Sequence, residues 1–238
     1  MADHLRSFHE EGYLGPLRLE TSFSKNKLLQ AVDQRISDGS VISGHGTYAR
    51  HLDSRLVFDL CTDHAIIAML QTLAGPDLIL WNSSFWVMPP KSMPTPWHQD
   101  LYYWPTALNL TCWIALTATD ERTGCLLVAP GSHVRIAPVI KDADEKFEEF
   151  TSPDEAACWE TRPLPMDAGE FVILSDRILH RSAVNLGSVD RVALAARFTL
   201  PSVKIHGSLL PLFRSHYSIL VSGTDRFGIN LLGPPPPL

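Results

Sequence analysis

The chain has 238 residues, of which 45% are hydrophobic and 19% charged, with a formal net charge of −6. This balance describes a folded protein with room for one large core, and it excludes a disordered or fibrous chain. No basic block is present to hold nucleic acid, and no apolar run reaches membrane-spanning length.

Residues 1–8 lack the charged n-region and apolar h-region of a signal peptide. The four cysteines, Cys61, Cys112, Cys125 and Cys158, form no Cys-x-x-Cys pair. A zinc site and a disulfide framework are therefore not expected, Cys112 and Cys125 read as inert buried thiols, and the chain reads as cytoplasmic.

In chain order, a short helix is expected over residues 4–13, ended by Gly12. A second starts near Ser24, with Leu28, Leu29, Val32 and Ile36 at helical spacing, and breaks at Asp38-Gly39-Ser40. Thr62 and Asp63 form an N-cap for a third, whose apolar face is Ile66, Met69, Leu70 and Leu73 and whose stop is Gly75-Pro76. From Asp77 the pattern changes to strands. These are expected at Leu78–Met88, Leu108–Leu116, Cys125–Ala129, Glu170–Leu174 and Arg191–Leu200, with Gly124, Pro130-Gly131-Ser132, Gly169 and Gly187 at the corners. Lys141–Pro153 reads as a charged surface insertion and Pro234–Pro237 as an extended tail. The whole, 1–238, is expected to be one domain. Helices in 1–75 pack on a barrel or sandwich core in 77–200, followed by a lid or tail in 201–238.

The chemistry is concentrated in Trp97-His98-Gln99-Asp100 and the distant Leu179-His180. In an extended segment, residues i and i+2 point to one side, so His98 and Asp100 can grip one ion. With a further histidine, His180, they make the ligand set of a two-histidine-one-carboxylate facial triad, which holds non-haem Fe(II) and leaves positions open for a co-substrate and O2. With ten histidines in the chain, an isolated His-x-Asp would most often be a hydrogen-bonded surface pair.

Longer blocks carry a resemblance. Pro96–Pro105, then Trp113-Ile114-Ala115-Leu116, then Thr123–His133, then His180–Asn185 with Asp190–Leu194 resemble, in order, the blocks of the phytanoyl-CoA dioxygenase family, over most of residues 5–198. The resemblance implies a double-stranded β-helix (jelly roll, cupin-like), mainly β with flanking helices. It further implies Fe(II) held by His98, Asp100 and His180, with 2-oxoglutarate and O2 as co-substrates. Arg191 matches the arginine that binds the distal carboxylate of 2-oxoglutarate, a role that suits a planar fork of donors. Trp113 and Ser84 fall where the family lines the co-substrate. One departure is visible: many members have a lysine before the double proline, whereas here the stretch is Val87-Met88-Pro89-Pro90-Lys91. This difference calls the large thioester substrate into question.

On this reading the chain hydroxylates a small or mid-sized organic metabolite, such as an amino acid or specialised metabolite, releasing succinate and CO2. Asp100 disfavours halogenation, which needs a small residue in place of the carboxylate. Desaturation, ring closure or epimerisation are the alternatives within the class. Outside it stand a non-redox metal enzyme, an inactive jelly-roll metal- or ligand-binding protein, and an oxygenase acting on a protein side chain. Substrate contacts are expected from Tyr102, Trp86, Arg50 and Tyr48, and a lid or homodimer contact from Phe213, Arg214, His216 and Tyr217. A nucleic-acid or membrane partner is not expected. Pro130-Gly131-Ser132-His133 reads as a strand connection, because Ser132 lacks the Gly-x-Ser-x-Gly elbow of a serine hydrolase.

Overall fold

The structure, a computed structural model, describes residues 2–20, 25–33, 48–101, 108–141, 149–205 and 216–238. Helix α1 (Ala2–Glu11) ends at Gly12, whose φ of 81° suits a residue without a Cβ. Strand β1 (Tyr13–Arg18) follows directly, where the sequence pattern gave no strand. Helix α2 is Lys25–Asp33; Ile36 and the expected break at Asp38-Gly39-Ser40 lie outside the described residues. Helix α3 (Arg55–Cys61), also unforeseen, is capped by Ser54, which accepts from the Val57 amide. Helix α4 (His64–Ala74) is capped by Asp63 and stops at Gly75, as its pattern predicts.

The strands that follow are β2 (Leu78–Met88), β3 (Asn109–Ala115), β4 (Leu126–Val128), β5 (Ile140–Lys141), β6 (Glu149–Phe150), β7 (Arg162–Leu164), β8 (Glu170–Ser175), β9 (His180–Ser182), β10 (Arg191–Thr199) and β11 (Ile219–Ser222). A six-stranded sheet runs β1-β8-β3-β10-β2-β11, and a three-stranded sheet runs β7-β4-β9. Every strand pairing within these two sheets is antiparallel. This is the mainly β, two-sheet architecture of a jelly roll with flanking helices. The segment expected as a lid or tail departs from that description: Ile219–Ser222 pairs with Leu78–Leu80 and closes one edge of the large sheet. The Lys141–Pro153 insertion is bounded by the β5–β6 ladder.

The large sheet is buried on both faces, which explains why its strands read as near-continuous apolar runs. On β10, Val192, Leu194, Ala196 and Phe198 join the core shared with the helices, together with Leu110, Cys112 and Ile114 of β3 and Phe171 and Ile173 of β8. The alternate residues Ala193, Ala195, Trp113, Ala115, Val172 and Leu174 face the other way, toward Leu126 and Val128 of the small sheet. The cleft between the sheets holds the candidate site. Among the described residues no single helix is long and apolar enough to cross a membrane. The bent pair α3–α4 passes that test jointly, but Leu60, Ile66 and Leu70 of the pair are spent on the core.

Candidate metal centre

His98 and His180 meet across the mouth of the cleft. They form an isolated antiparallel bridge, with His98 N donating to His180 O at 3.1 Å and His180 N to His98 O at 3.0 Å. His180 opens β9, whereas residues 98–100 form an extended segment without regular strand partners beyond that bridge. The side chains of His98, Asp100 and His180 converge, each offering one ligand atom within 4.8 Å of the others, and all three are buried. Among the described residues this is the one cluster of its kind.

Each imidazole is set by the carbonyl two residues before it: His98 Nδ1 lies 2.9 Å from Pro96 O, and His180 Nδ1 lies 3.0 Å from Ile178 O. A carbonyl oxygen only accepts, so Nδ1 carries the proton and the Nε2 lone pair is left for a metal. Burial first, then the neighbouring His180, holds the His98 imidazole down to about 4, so it is neutral near pH 7. Burial works against ionising Asp100, but Arg197, both histidines and the Thr111 hydroxyl outweigh it and hold the carboxyl down at about 2. Thr111 Oγ1 donates to Asp100 Oδ2 at 3.0 Å, and Arg197 Nη2 stands 3.7 Å from the same oxygen. Two imidazoles with Nδ1 committed to a carbonyl and one carboxylate, oriented by a second layer of hydrogen bonds, are a donor set that fits a divalent iron with open positions.

Beside this cluster lies a narrow cavity of about 30 Å³, lined among others by Trp86, Thr95, Trp113, Leu126, Ala195 and Arg197. Arg191, two strand pairs along β10 from Ala195, is only 2% exposed. Its Nη2 donates to Ser182 Oγ at 2.8 Å and its Nη1 to the Trp86 carbonyl at 3.4 Å, while the guanidinium lies over the Trp113 ring at 5.4 Å. Its Nε has no hydrogen-bond partner. Burial lowers the guanidinium to about 10, opposed by Cys125, and among the described residues no carboxylate contributes. A buried cation without an acid is costly unless an anion arrives to meet it.

The residues expected from the sequence are thus placed unevenly. His98, Asp100 and His180 come together, with Trp113 and Trp86 on the cavity wall and Arg191 behind them. Ser84 is one step removed, its hydroxyl accepting from Arg197 Nη1 at 3.0 Å. Arg50 is bound to Asp53 at 2.6 Å and Tyr48 packs against the cluster of Ala49, Leu52 and Ile219, so neither lines the cavity. Tyr102 lies outside the described residues, as do Phe213 and Arg214. Trp97 packs with Ala129 and Leu179 beneath Arg181 instead of facing the cavity. The Pro130–His133 turn braces its surroundings: Ser132 Oγ accepts from Leu179 N at 2.9 Å, and His133 Nε2 donates to the His9 carbonyl. Ser182, Thr111 and Arg197 were not singled out from the sequence. Their signal was strand alternation, which puts each on the same face as His180, Trp113 and Arg191 respectively.

Comparison with known proteins follows this geometry. The sequence profile described as phytanoyl-CoA dioxygenase matches residues 26–193. A Stutzerimonas stutzeri protein named a probable alpha-ketoglutarate-dependent hypophosphite dioxygenase is 26% identical over 80% of this chain and 75% of its own length. The peroxisomal phytanoyl-CoA dioxygenase of Rattus norvegicus is 30% identical over 60% of this chain, and the match spans only 45% of the rat protein. Among solved structures, the apo form of the non-heme monooxygenase ThoJ has a TM-score of 0.77 at 24% identity, covering 98% of this chain and 88% of that one. CytC3 with Fe(II) and alpha-ketoglutarate has a TM-score of 0.76 at 21% identity, covering 98% and 92%. These two likenesses establish the fold.

Proposed function

The chain belongs to the phytanoyl-CoA dioxygenase family, it is accordingly an Fe(II)- and 2-oxoglutarate-dependent dioxygenase, and we propose that it hydroxylates a small or mid-sized organic metabolite. The observation that carries this reading is the convergence of His98, Asp100 and His180 beside a cavity backed by the acid-free Arg191. Bound Fe(II) supplies the redox chemistry that couples decarboxylation of 2-oxoglutarate, to succinate and CO2, to oxidation of the substrate by O2.

The protein's own part is positional. His98 and His180 offer Nε2 because their Nδ1 protons are committed to carbonyls, and Asp100 stays ionised against Thr111 and Arg197. Arg191 offers a fixed fork to the far carboxylate of 2-oxoglutarate, with the Ser182 hydroxyl already beside it. Trp113, Leu126, Leu174 and Ala195 keep water away from the reacting groups. An inactive binding protein has no need of this complete set.

The similar proteins carry names that refer to substrates as different as hypophosphite and a phytanoyl thioester, so the pocket decides the substrate. A narrow cavity that must also admit 2-oxoglutarate favours a compact molecule. Trp86 and Trp113 supply apolar faces, and Arg197 supplies a polar wall beside the ligands. The four cysteines are unpaired, which supports a reducing compartment such as the cytoplasm.

The test is anaerobic loading with Fe(II) and 2-oxoglutarate, then exposure to O2 with succinate counted, in the wild type and in His180→Ala. Succinate from the wild type, with at least a tenfold loss in the variant (the order expected for a missing metal contact, roughly), is the expected result. Equal succinate from both proteins would refute the ligand assignment.

A further inference from the structure

Gln99 lies between two of the metal-binding residues, and alternation along an extended segment turns its side chain away from them. That side chain is only 7% exposed. Its amide is saturated by backbone. Nε2 donates to Arg135 O at 3.0 Å and to Arg177 O, and Oε1 accepts from Ala137 N at 2.9 Å. Arg177 belongs to the turn that leads from β8 into His180. One side chain therefore ties the segment bearing His98 and Asp100 to the turn that aims His180, and ties both to 135–137.

This matters because regular secondary structure does little to set that spacing. His98 and His180 share a single bridge, and Asp100 lies beyond it, outside any ladder. The 177–179 turn is held from its other sides by Leu179 N on Ser132 Oγ and by Ala129 N on Leu179 O. Gln99 supplies the connection toward Asp100. We propose that Gln99 is a positioning residue for the metal centre, fixing Asp100 relative to His180 through the Arg177 carbonyl. The proposal rests on the reading of His98, Asp100 and His180 as ligands.

The chemistry makes the role specific. Gln99→Glu keeps the shape and the acceptor for Ala137 N, but it turns an oxygen toward two carbonyl oxygens that can only accept. One or both ties to Arg135 and Arg177 must then open. A matched control exists in Asn185, fully buried, whose Nδ2 donates to Met88 O at 2.7 Å and Val189 O at 2.9 Å and whose Oδ1 accepts from Gly187 N at 2.9 Å. It is the same saturated amide, but its bonds fasten Met88 to the 185–189 turn beyond β9, and they reach neither the segment of Asp100 nor the turn before His180.

The experiment measures Mn(II) binding to metal-free protein, from the electron paramagnetic resonance signal of free Mn(II), alongside the thermal midpoint of each apoprotein. Gln99→Glu is expected to weaken Mn(II) binding by about 10- to 100-fold, whereas Asn185→Asp lowers the thermal midpoint and leaves Mn(II) affinity unchanged. Should Gln99→Glu not fold, Gln99→Asn, one methylene shorter, decides the matter by the same comparison. Wild-type affinity in the Gln99 variant, or an equal loss in Asn185→Asp, overturns the positioning role. Absence of Mn(II) binding by the wild type overturns the ligand reading itself, and the positioning role with it.

Discussion

At the scale of single residues, the site is organised by what each polar group lacks. The Arg191 guanidinium is buried on an aromatic ring, bonded to a hydroxyl and a carbonyl, and without an acid among the described residues. Arg191→Met removes that buried charge and the fork with it. The expected loss of 2-oxoglutarate affinity is about 3 kcal/mol, or ~100-fold in KM for 2-oxoglutarate. Apoprotein stability should hold, because an uncompensated buried cation is removed at the same time. Steady-state titration of 2-oxoglutarate checks this, and an unchanged KM would count against the assignment. The convergence of His98, Asp100 and His180 was legible in the sequence because His-x-Asp carries its own geometry. Gln99 and Ser182 were not, because a polar residue one or two positions from a ligand is told apart only by which carbonyl or cation it meets. Arg50 illustrates the converse: its position suggested a substrate contact, and Asp53, close by in the chain, had already claimed it.

At the scale of elements, β10 is the strand on which stability and chemistry are separated by parity. Leu194 faces the helices, and Ala195 faces the cavity opposite Trp113 and Ser84. Leu194→Ala is expected to cost about 2–5 kcal/mol of stability, seen as a lower thermal midpoint, with kinetic constants retained. Ala195→Leu should act on the chemistry. It fills space beside His98, Asp100 and His180, so succinate formation falls at least about tenfold, the order of a lost contact in the site, while overpacking costs only about 1–3 kcal/mol of stability. Matching effects from the two substitutions would mean the strand's faces are misassigned. Element recognition from sequence followed length and purity of pattern. Leu78–Met88 was bounded as observed, being long and apolar. β1 was missed because Gly15 and Pro16 interrupt it, and such residues are tolerated at a sheet edge, where β1 lies. α3 was missed because seven residues are too few to show a helical period, and β11 because three apolar residues and a serine resemble a packed tail.

At the scale of the whole molecule, pH acts on buried groups in opposite senses. Burial, then the facing His216, holds His51 well below the usual histidine range, so its contribution to stability is present above about pH 6.5 and is lost as the pH falls. Asp176 is pushed up to about 7 by burial and by the Asp100 charge. Its contribution is present below about pH 4 and is lost as the pH rises through 7, because the native state then ionises a carboxyl that is ill-solvated. Asp176→Asn should therefore stabilise the apoprotein at pH 8 by about 2 kcal/mol, or roughly 5 °C in thermal midpoint, and the gain should shrink toward pH 5. Melting curves with a chelator present check it; a gain independent of pH would show that Asp176 is not the source. The jelly-roll fold was legible through ordered blocks of resemblance, whereas the strand order β1-β8-β3-β10-β2-β11 depends on pairings between distant segments that no local pattern encodes. That order has a further consequence. Both outer rows of the large sheet are finished by short strands from the two extremities of the chain, one of them carrying a proline. Deletion of 216–238 would strip β11 from β2 and leave a long apolar strand with unpaired peptide groups facing solvent, a template for any other exposed strand. The extremities thus guard colloidal behaviour, and a trimmed protein would precipitate before its catalytic centre had come apart.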